Sequence, residues 1–278
     1  MNTIRHAVVA TLVLMLAACA ATPRHAVPEP AMFTSQRVSE HRGGDDLLTA
    51  GLGLDGLRAM VPPAFVDAGY PTAIELRRRA IWSNWRGIAD LAPGGGYGSV
   101  YGSTQAVPGR EFSAYAKVPG ARQPHRVLVQ VPDDFDRSRR CVVVTASSGS
   151  RGIYGSIAVA GAWGLPKGCA VAYTDKGAGT DYFDLDAQAG PRVDGTVGTD
   201  ADLAFMPVHG VGARGVAVKH AHSGDNPEAD WGRHVKQAAG FALQALNEAL
   251  PDAAPFTFDN TRVIAVTARV RSAWGNVP

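Results

Sequence analysis

Apolar positions change their rhythm along the chain. In the first half they come in short clusters. The clearest is PTAIELRRRAIWSNWRGI, where Ile74, Ile81 and Trp82 fall near helical spacing and Pro71 stands near the start. In the second half, HRVLVQV at 125–131 alternates and is rich in Val, so it reads as a strand. CVVVTA at 141–146 is a continuous β-branched run, the pattern of a strand covered on both faces. CAVAYTD at 169–175 and TRVIAV at 261–266 repeat it. Between the last two, Trp231, Val235, Ala238, Ala242, Leu246 and Ala249 share one helical face. Asn226 is placed to cap that helix, Pro227 suits its first turn, Glu228 meets the positive end of its dipole, and Pro251 stops it. Strand, loop, strand, helix, strand is the order of a parallel α/β sheet.

The polar stretches set boundaries. Residues 20–42 read as a Pro-containing tether, 43–120 as a helical and loop region, and 121–278 as the α/β domain. Residues 176–224 are rich in Gly and Asp and show no period.

The first nineteen residues read as an export signal rather than fold. Arg5 precedes an apolar run from Val8 to Leu16, too short to span a bilayer, and small residues follow. Leu16-Ala17-Ala18-Cys19 also has the form of a lipobox, which makes Cys19 a lipidation candidate and gives the protein a lipid anchor as its one route to a membrane. The alternative is ordinary cleavage with Cys19 incidental. Either way the expectation is a secreted or periplasmic protein, or an outer-membrane lipoprotein if Cys19 is lipidated. Cys141 and Cys169 remain, in a compartment that allows them to pair.

Composition narrows the function classes. With 46% hydrophobic and 19% charged residues the chain buries a real core, and a net charge of +2 without clustered Lys or Arg argues against nucleic acid. Gly51-Leu-Gly53-Leu-Asp-Gly56 matches a dinucleotide fingerprint, but DDLLTA is not the β-branched strand that must precede one, so no cofactor is expected. His220 and His222, with Asp225 and His234, have the residue types of a metal site without a fixed third ligand, and a hydrogen-bonding loop is the better reading. Asp184 and Asp186 begin an EF-hand-like pattern that Gln188 and Ala189 break.

One segment carries chemistry. Ser148-Gly149-Ser150-Arg151-Gly152 follows a strand and resembles a nucleophile elbow with its first Gly replaced by Ser, which makes Ser150 a fallback nucleophile. The rival reading is an oxyanion-hole loop, with backbone N–H groups around Ser147, Ser148 and Gly149.

These segments resemble the D-3-hydroxybutyrate oligomer hydrolases. The likeness is carried by HRGGDDLLTAGLGLDGL, by VTASSGSRGIYGSIAVAGAWGLPKGCAVAYTDKGAGTDYFDLDAQAG, by GVAVKHAHSGDNPEADWGRHVKQAA and by FTFDNTRVIAV, from about residue 40 to residue 266. The resemblance implies an exported serine esterase with an α/β-hydrolase-like sheet and a small-molecule ester as substrate. In that fold 141–146 is the third strand and 169–175 the fourth. These are neighbours, so Cys141 and Cys169 come near each other. Neighbouring-strand geometry is often poor for a disulfide, and the pairing stays open.

The resemblance also implies a Ser-Asn-Gly stretch directly after Val266, with the triad acid and His further on. This chain reads Thr267-Ala-Arg269-Val-Arg271-Ser272 instead. The expectation is a sheet truncated after about its fifth strand by a frameshift or early stop, and a chain without activity of its own. The alternative is a non-catalytic lipoprotein that binds hydroxybutyrate oligomers.

Overall fold

The computed structural model describes residues 32–86, 91, 95–96, 104–147 and 151–267. The export signal, Cys19 and the sequence after Thr267 lie outside the described residues.

A six-stranded mixed sheet organises the chain. Its elements are β1 (Phe33–His41), α1 (Gly53–Arg58), α2 (Ala73–Trp85), β2 (Gly109–Ala116), β3 (His125–Pro132), β4 (Cys141–Ala146), a helical run ending in α3 (Ala162–Gly164), β5 (Ala170–Thr174), the short strands β6 (Tyr182–Asp184), β7 (Gly190–Pro191), β8 (Val197–Gly198) and β9 (Val216–Val218), α4 (Lys219–His222), α5 (Trp231–Ala249) and β10 (Arg262–Thr267). The sheet order is β1-β2-β3-β5-β4-β10. The first three pairings are antiparallel, and β5-β4 and β4-β10 are parallel. The sheet is thus mixed rather than parallel throughout, because β3 runs against its neighbours.

The strand runs read from the pattern at 125–131, 141–146, 169–175 and 261–266 are all present, within a residue at each end. Two others are corrections. Residues 33–41, read as tether, form edge strand β1. Only its end residues Phe33 and His41 are buried, and pairing with β2 rather than burial holds it. Residues 109–116, read as part of a helical and loop region, form β2 inside the sheet. Their charged and small residues hide a strand that tertiary packing covers almost entirely. The main helix also starts later than Asn226 implies. Asn226 closes a turn with Ala229, and α5 begins at Trp231.

Alternation sorts the sheet into two faces. Val127, Val129, Val142, Val144, Ala170 and Ala172 pack on α5 through Ala238, Phe241, Ala242, Ala245 and Leu246. Leu128, Val143, Val171 and Tyr173 face the other way, toward Leu47, Leu48, Ile81, Trp85 and Ile157. Close approach of α3 to that second face requires Gly164. A Cβ there would stand 3.0 Å from side-chain carbons of both Val143 and Val171. The cysteines opening β4 and preceding β5 are joined as a disulfide, with Cα atoms 4.7 Å apart.

Candidate functional site

The second face leaves an open cavity of about 670 Å³. It lies where β1 and α2 meet the start of β3, the residues after β4 and the residues after β5. Val38, Ile74, Leu76, Leu128 and Ile153 give it apolar walls. Its position follows from topology. Strand order reverses at β5, which sits between β3 and β4, and such switch points open a crevice beyond the strand ends.

Two buried polar knots fix the walls. In the first, Arg77 of α2 donates two hydrogen bonds to Glu111 of β2, each 2.8 Å, and another to Asp45 at 3.0 Å. Tyr154 and Gln130 donate to the same Glu111 carboxylate at 2.9 and 2.7 Å. Burial opposes ionisation of Glu111, but the Arg77 charge and these donors hold it below the usual carboxylate range. The knot pins α2 and the segment around Asp45 to the sheet.

In the second knot, Arg126 at the start of β3 donates to Asp181 at 2.9 Å and to the carbonyls of Arg192 and Val193. Lys219, wholly buried, lies 3.4 Å from Asp181 and 4.0 Å from Asp175. Burial again opposes the charge on Asp181, and Arg126 with Lys219 overcomes it. Asp175 directly follows β5. One of its oxygens accepts from the N–H groups of Arg126 and Gly177 at 2.9 Å, while the other has no hydrogen-bond partner among the described residues. Gly179 adopts φ +57°, and a Cβ there would come within 2.7 Å of that free oxygen. His125 and His234 stack edge to face beside this knot, 4.5 Å between centroids. Burial pushes both imidazoles below their ordinary pKa, and His234 and Lys219 further raise the cost of charging His125.

Arg151 stands apart from both knots. Arg151 lines the cavity, and its guanidinium donates to the Asn84 side chain at 3.2 Å and to the Asn84 carbonyl at 2.9 Å. Asn84 is itself buried and tied to Ala80 at 2.9 Å.

The residues singled out from sequence fare unequally. Ser148, Gly149 and Ser150 lie outside the described residues. Ser147 directly follows β4, and its N–H donates to the Thr174 carbonyl at 2.8 Å, which occupies that donor. Its hydroxyl is buried with no partner among the described residues. Gly53 opens α1 after a turn rather than a strand. His222 bonds its own turn through Val218, Asp225 accepts from Arg122 and Gln123, and His234 belongs to the second knot. Among the described residues no three His, Cys, Asp or Glu side chains are placed to hold a metal, and no helix is long and apolar enough to cross a membrane. Asp184 and Asp186 accept from turn backbone N–H groups.

Sequence reading missed Arg77, Glu111, Arg126, Asp175, Asp181 and Asn84. A signal existed for some of them. Arg126 and Gln130 interrupt the strand HRVLVQV, and Asp175 ends CAVAYTD, each a polar residue in an otherwise buried run.

A family model described as 3HB-oligomer hydrolase matches residues 15–275. Similar curated proteins include the D-(-)-3-hydroxybutyrate oligomer hydrolases of Cupriavidus metallidurans, 47% identical over 73% of this chain and 31% of the relative, and of Paraburkholderia xenovorans, 41% identical over 87% and 39%. That of Paracidovorax citrulli is 43% identical over 85% of this chain and 38% of its own. The chain therefore spans roughly a third of the length of these relatives. No solved structure matches.

Proposed function

The chain belongs to the 3HB-oligomer hydrolase family, and from that premise we propose that it serves the hydrolysis of ester bonds in 3-hydroxybutyrate dimers and oligomers as the substrate-holding part of a serine esterase. The observation that carries this reading is the cavity at the strand-order reversal, apolar in its walls and bordered by the residues that follow β4 and β5. The order β2-β3-β5-β4-β10, with β3 antiparallel to its neighbours, also supports an α/β-hydrolase-like arrangement, with β4 as the strand whose following loop feeds the oxyanion hole.

In such a reaction a serine hydroxyl attacks the ester carbonyl while a histidine takes its proton. The tetrahedral oxyanion is held by backbone N–H groups until the C–O bond to the leaving hydroxy acid breaks. The histidine returns the proton to that leaving oxygen, and water then releases the acyl group by the same steps in reverse. With the Ser147 N–H engaged by Thr174, the donors fall to Ser148 and Gly149. The elbow serine of the family reading belongs directly after Val266, and residues 267–278 contain no Ser-Asn-Gly. On this reading these 278 residues supply the cavity rather than the nucleophile. The proposal includes export with cleavage at or near Cys19, so that the reaction runs outside the cytoplasm.

The test is to express residues 20–278 and assay the 3-hydroxybutyrate dimer. The expected result is binding without turnover, since loss of a triad nucleophile costs a factor of about a million. Turnover abolished by Ser150→Ala would make Ser150 the nucleophile and move the elbow to β4. Turnover surviving that change would place the nucleophile elsewhere. Failure of the dimer to bind would overturn the substrate-holding role.

A further inference from the structure

Five arginines line the cavity, and four of them are committed. Arg77 is paired with Glu111 and Asp45, Arg126 with Asp181, and Arg37 with Asp194 at 3.1 Å. Arg79 lies flat over the Phe65 ring, 3.6 Å from its centroid, and spends its fork on the Pro63 carbonyl. Arg151 differs. Among the described residues its one hydrogen-bonding partner is Asn84, a neutral amide, and no carboxylate reaches ion-pair distance. Among the described residues no carboxylate offsets its charge, and the side chain is half-buried and held in place by Asn84, a buried residue of α2. The Asn84 carbonyl belongs to the last turn of α2, where a cation is favoured. A fixed, unpaired guanidinium beside apolar walls is a receptor for a carboxylate carried on an apolar body.

We propose that Arg151 is the anchor for the free carboxylate end of the bound oligomer, positioned by Asn84, and that the cavity therefore selects oligoesters ending in a free acid over neutral ones. This rests on the ester-oligomer reading above and adds to it a direction of binding. The acid end lies beside the residues following β4, and the methyl-bearing chain runs along Ile153, Ile74 and Leu128. Arg77 and Arg126 are unsuited to this role, because a ligand carboxylate would have to displace carboxylates they already hold in buried geometry.

The experiment measures binding by calorimetry on the chain from residue 20 to residue 278, using the 3-hydroxybutyrate dimer as free acid and as its methyl ester. A charge-assisted pair predicts that the acid binds about 10- to 100-fold tighter than the ester. Arg151→Gln is expected to remove that preference by weakening the acid alone, Arg151→Lys to restore part of it, and Asn84→Ala to reduce it while raising its salt sensitivity. The acid-over-ester ratio of the unaltered chain carries the test even if a variant folds poorly. Equal affinity for acid and ester, or an Arg151→Gln loss that falls on both alike, overturns the anchor and leaves the substrate-holding role standing. Binding of neither compound overturns both.

Discussion

The two faces of the sheet are built by different chemistry. The face under α5 is held mainly by apolar contact, with Val and Ala of β3, β4 and β5 meeting Ala, Phe and Leu of the helix and the His125–His234 ring pair at one end. The opposite face carries the cavity, and there Arg77, Glu111, Arg126, Asp181 and Lys219 are buried as paired charges. The difference teaches where to look for function. A face that needs only to pack uses residues that fill space. A face that must keep a cavity open cannot collapse, so its walls are held by directional bonds to buried charges whose desolvation only their partners offset. Proteins give up stability for site geometry in this way.

The largest effects come from breaking a knot on one side only. Arg77→Met removes the cation and leaves Glu111 buried among Tyr154, Gln130 and His41. A loss of about 3–5 kcal/mol is expected from urea unfolding. The double change Arg77→Met with Glu111→Leu is expected to recover most of that, because no unpaired charge remains. If the double variant is as unstable as the single, the knot is stabilising in itself and the contrast between the faces fails. On the packed face, Leu246→Ala opens a cavity against β3 and β4 and is expected to cost about 3 kcal/mol, with no second change able to rescue it by charge neutralisation.

This contrast also explains what the sequence made legible. The strands at 125–131, 141–146, 169–175 and 261–266 and the α5 face are readable because each carries a dense β-branched run or a helical apolar stripe that a few polar residues do not mask. β1 and β2 are not. FTSQRVSEH is polar because an edge strand needs only backbone pairing, and GREFSAYA carries Arg110 and Glu111 because β2 supplies a knot rather than a smooth apolar stripe. The cavity was hidden for the same reason. Arg77 and Glu111 are 34 residues apart, and Arg126 and Asp181 are 55 apart, so only the fold makes them partners. In the segment after β4 nothing in the Gly and Ser pattern distinguishes Arg151, which lines the cavity.

Acid should act at the polar end of the α5 face, where His125 of β3 meets His234 of α5 beside the second knot. His125 and His234 are held neutral, with folded pKa values below the ordinary value near 6.5. Desolvation is the first cause for both, and Lys219 adds to it. Asp175 and Asp230 favour charging His234 but do not prevail, and Lys176 opposes it. A base whose folded pKa is depressed binds fewer protons folded than unfolded below pH 6.5, so stability is complete above that pH and falls as pH drops beneath it. Each histidine contributes a slope of at most about 1.4 kcal/mol per pH unit. Measured unfolding free energies should therefore decline from pH 7 to pH 5, before the carboxylates of the knots titrate. His234→Phe keeps the ring stacked on His125 and should flatten that decline while changing stability little at pH 8. An unchanged slope would mean that the histidines take up protons without opening the second knot.

The smallest expected effect lies at the helix ends and separates α2 from α5 on the same principle. α2 begins with a reciprocal cap. The Thr72 hydroxyl accepts from the Glu75 N–H at 3.3 Å, and the Glu75 carboxylate accepts from the Thr72 N–H at 2.8 Å. α5 has Asp230 at its N-cap position, with no side-chain cap hydrogen bond. A helix on the cavity face has fewer apolar contacts to fix it and relies on its end, whereas α5 is fixed along its length by the sheet. Thr72→Ala is expected to lower stability by about 1 kcal/mol, and Asp230→Ala by less than half of that. Because Thr72 begins the helix that carries Ile74, Arg77 and Asn84 to the cavity, its loss should also weaken dimer binding, which Asp230→Ala should leave unchanged. Equal losses at the two positions would show that α2 is held by its buried Arg77 and Trp85 rather than by its cap.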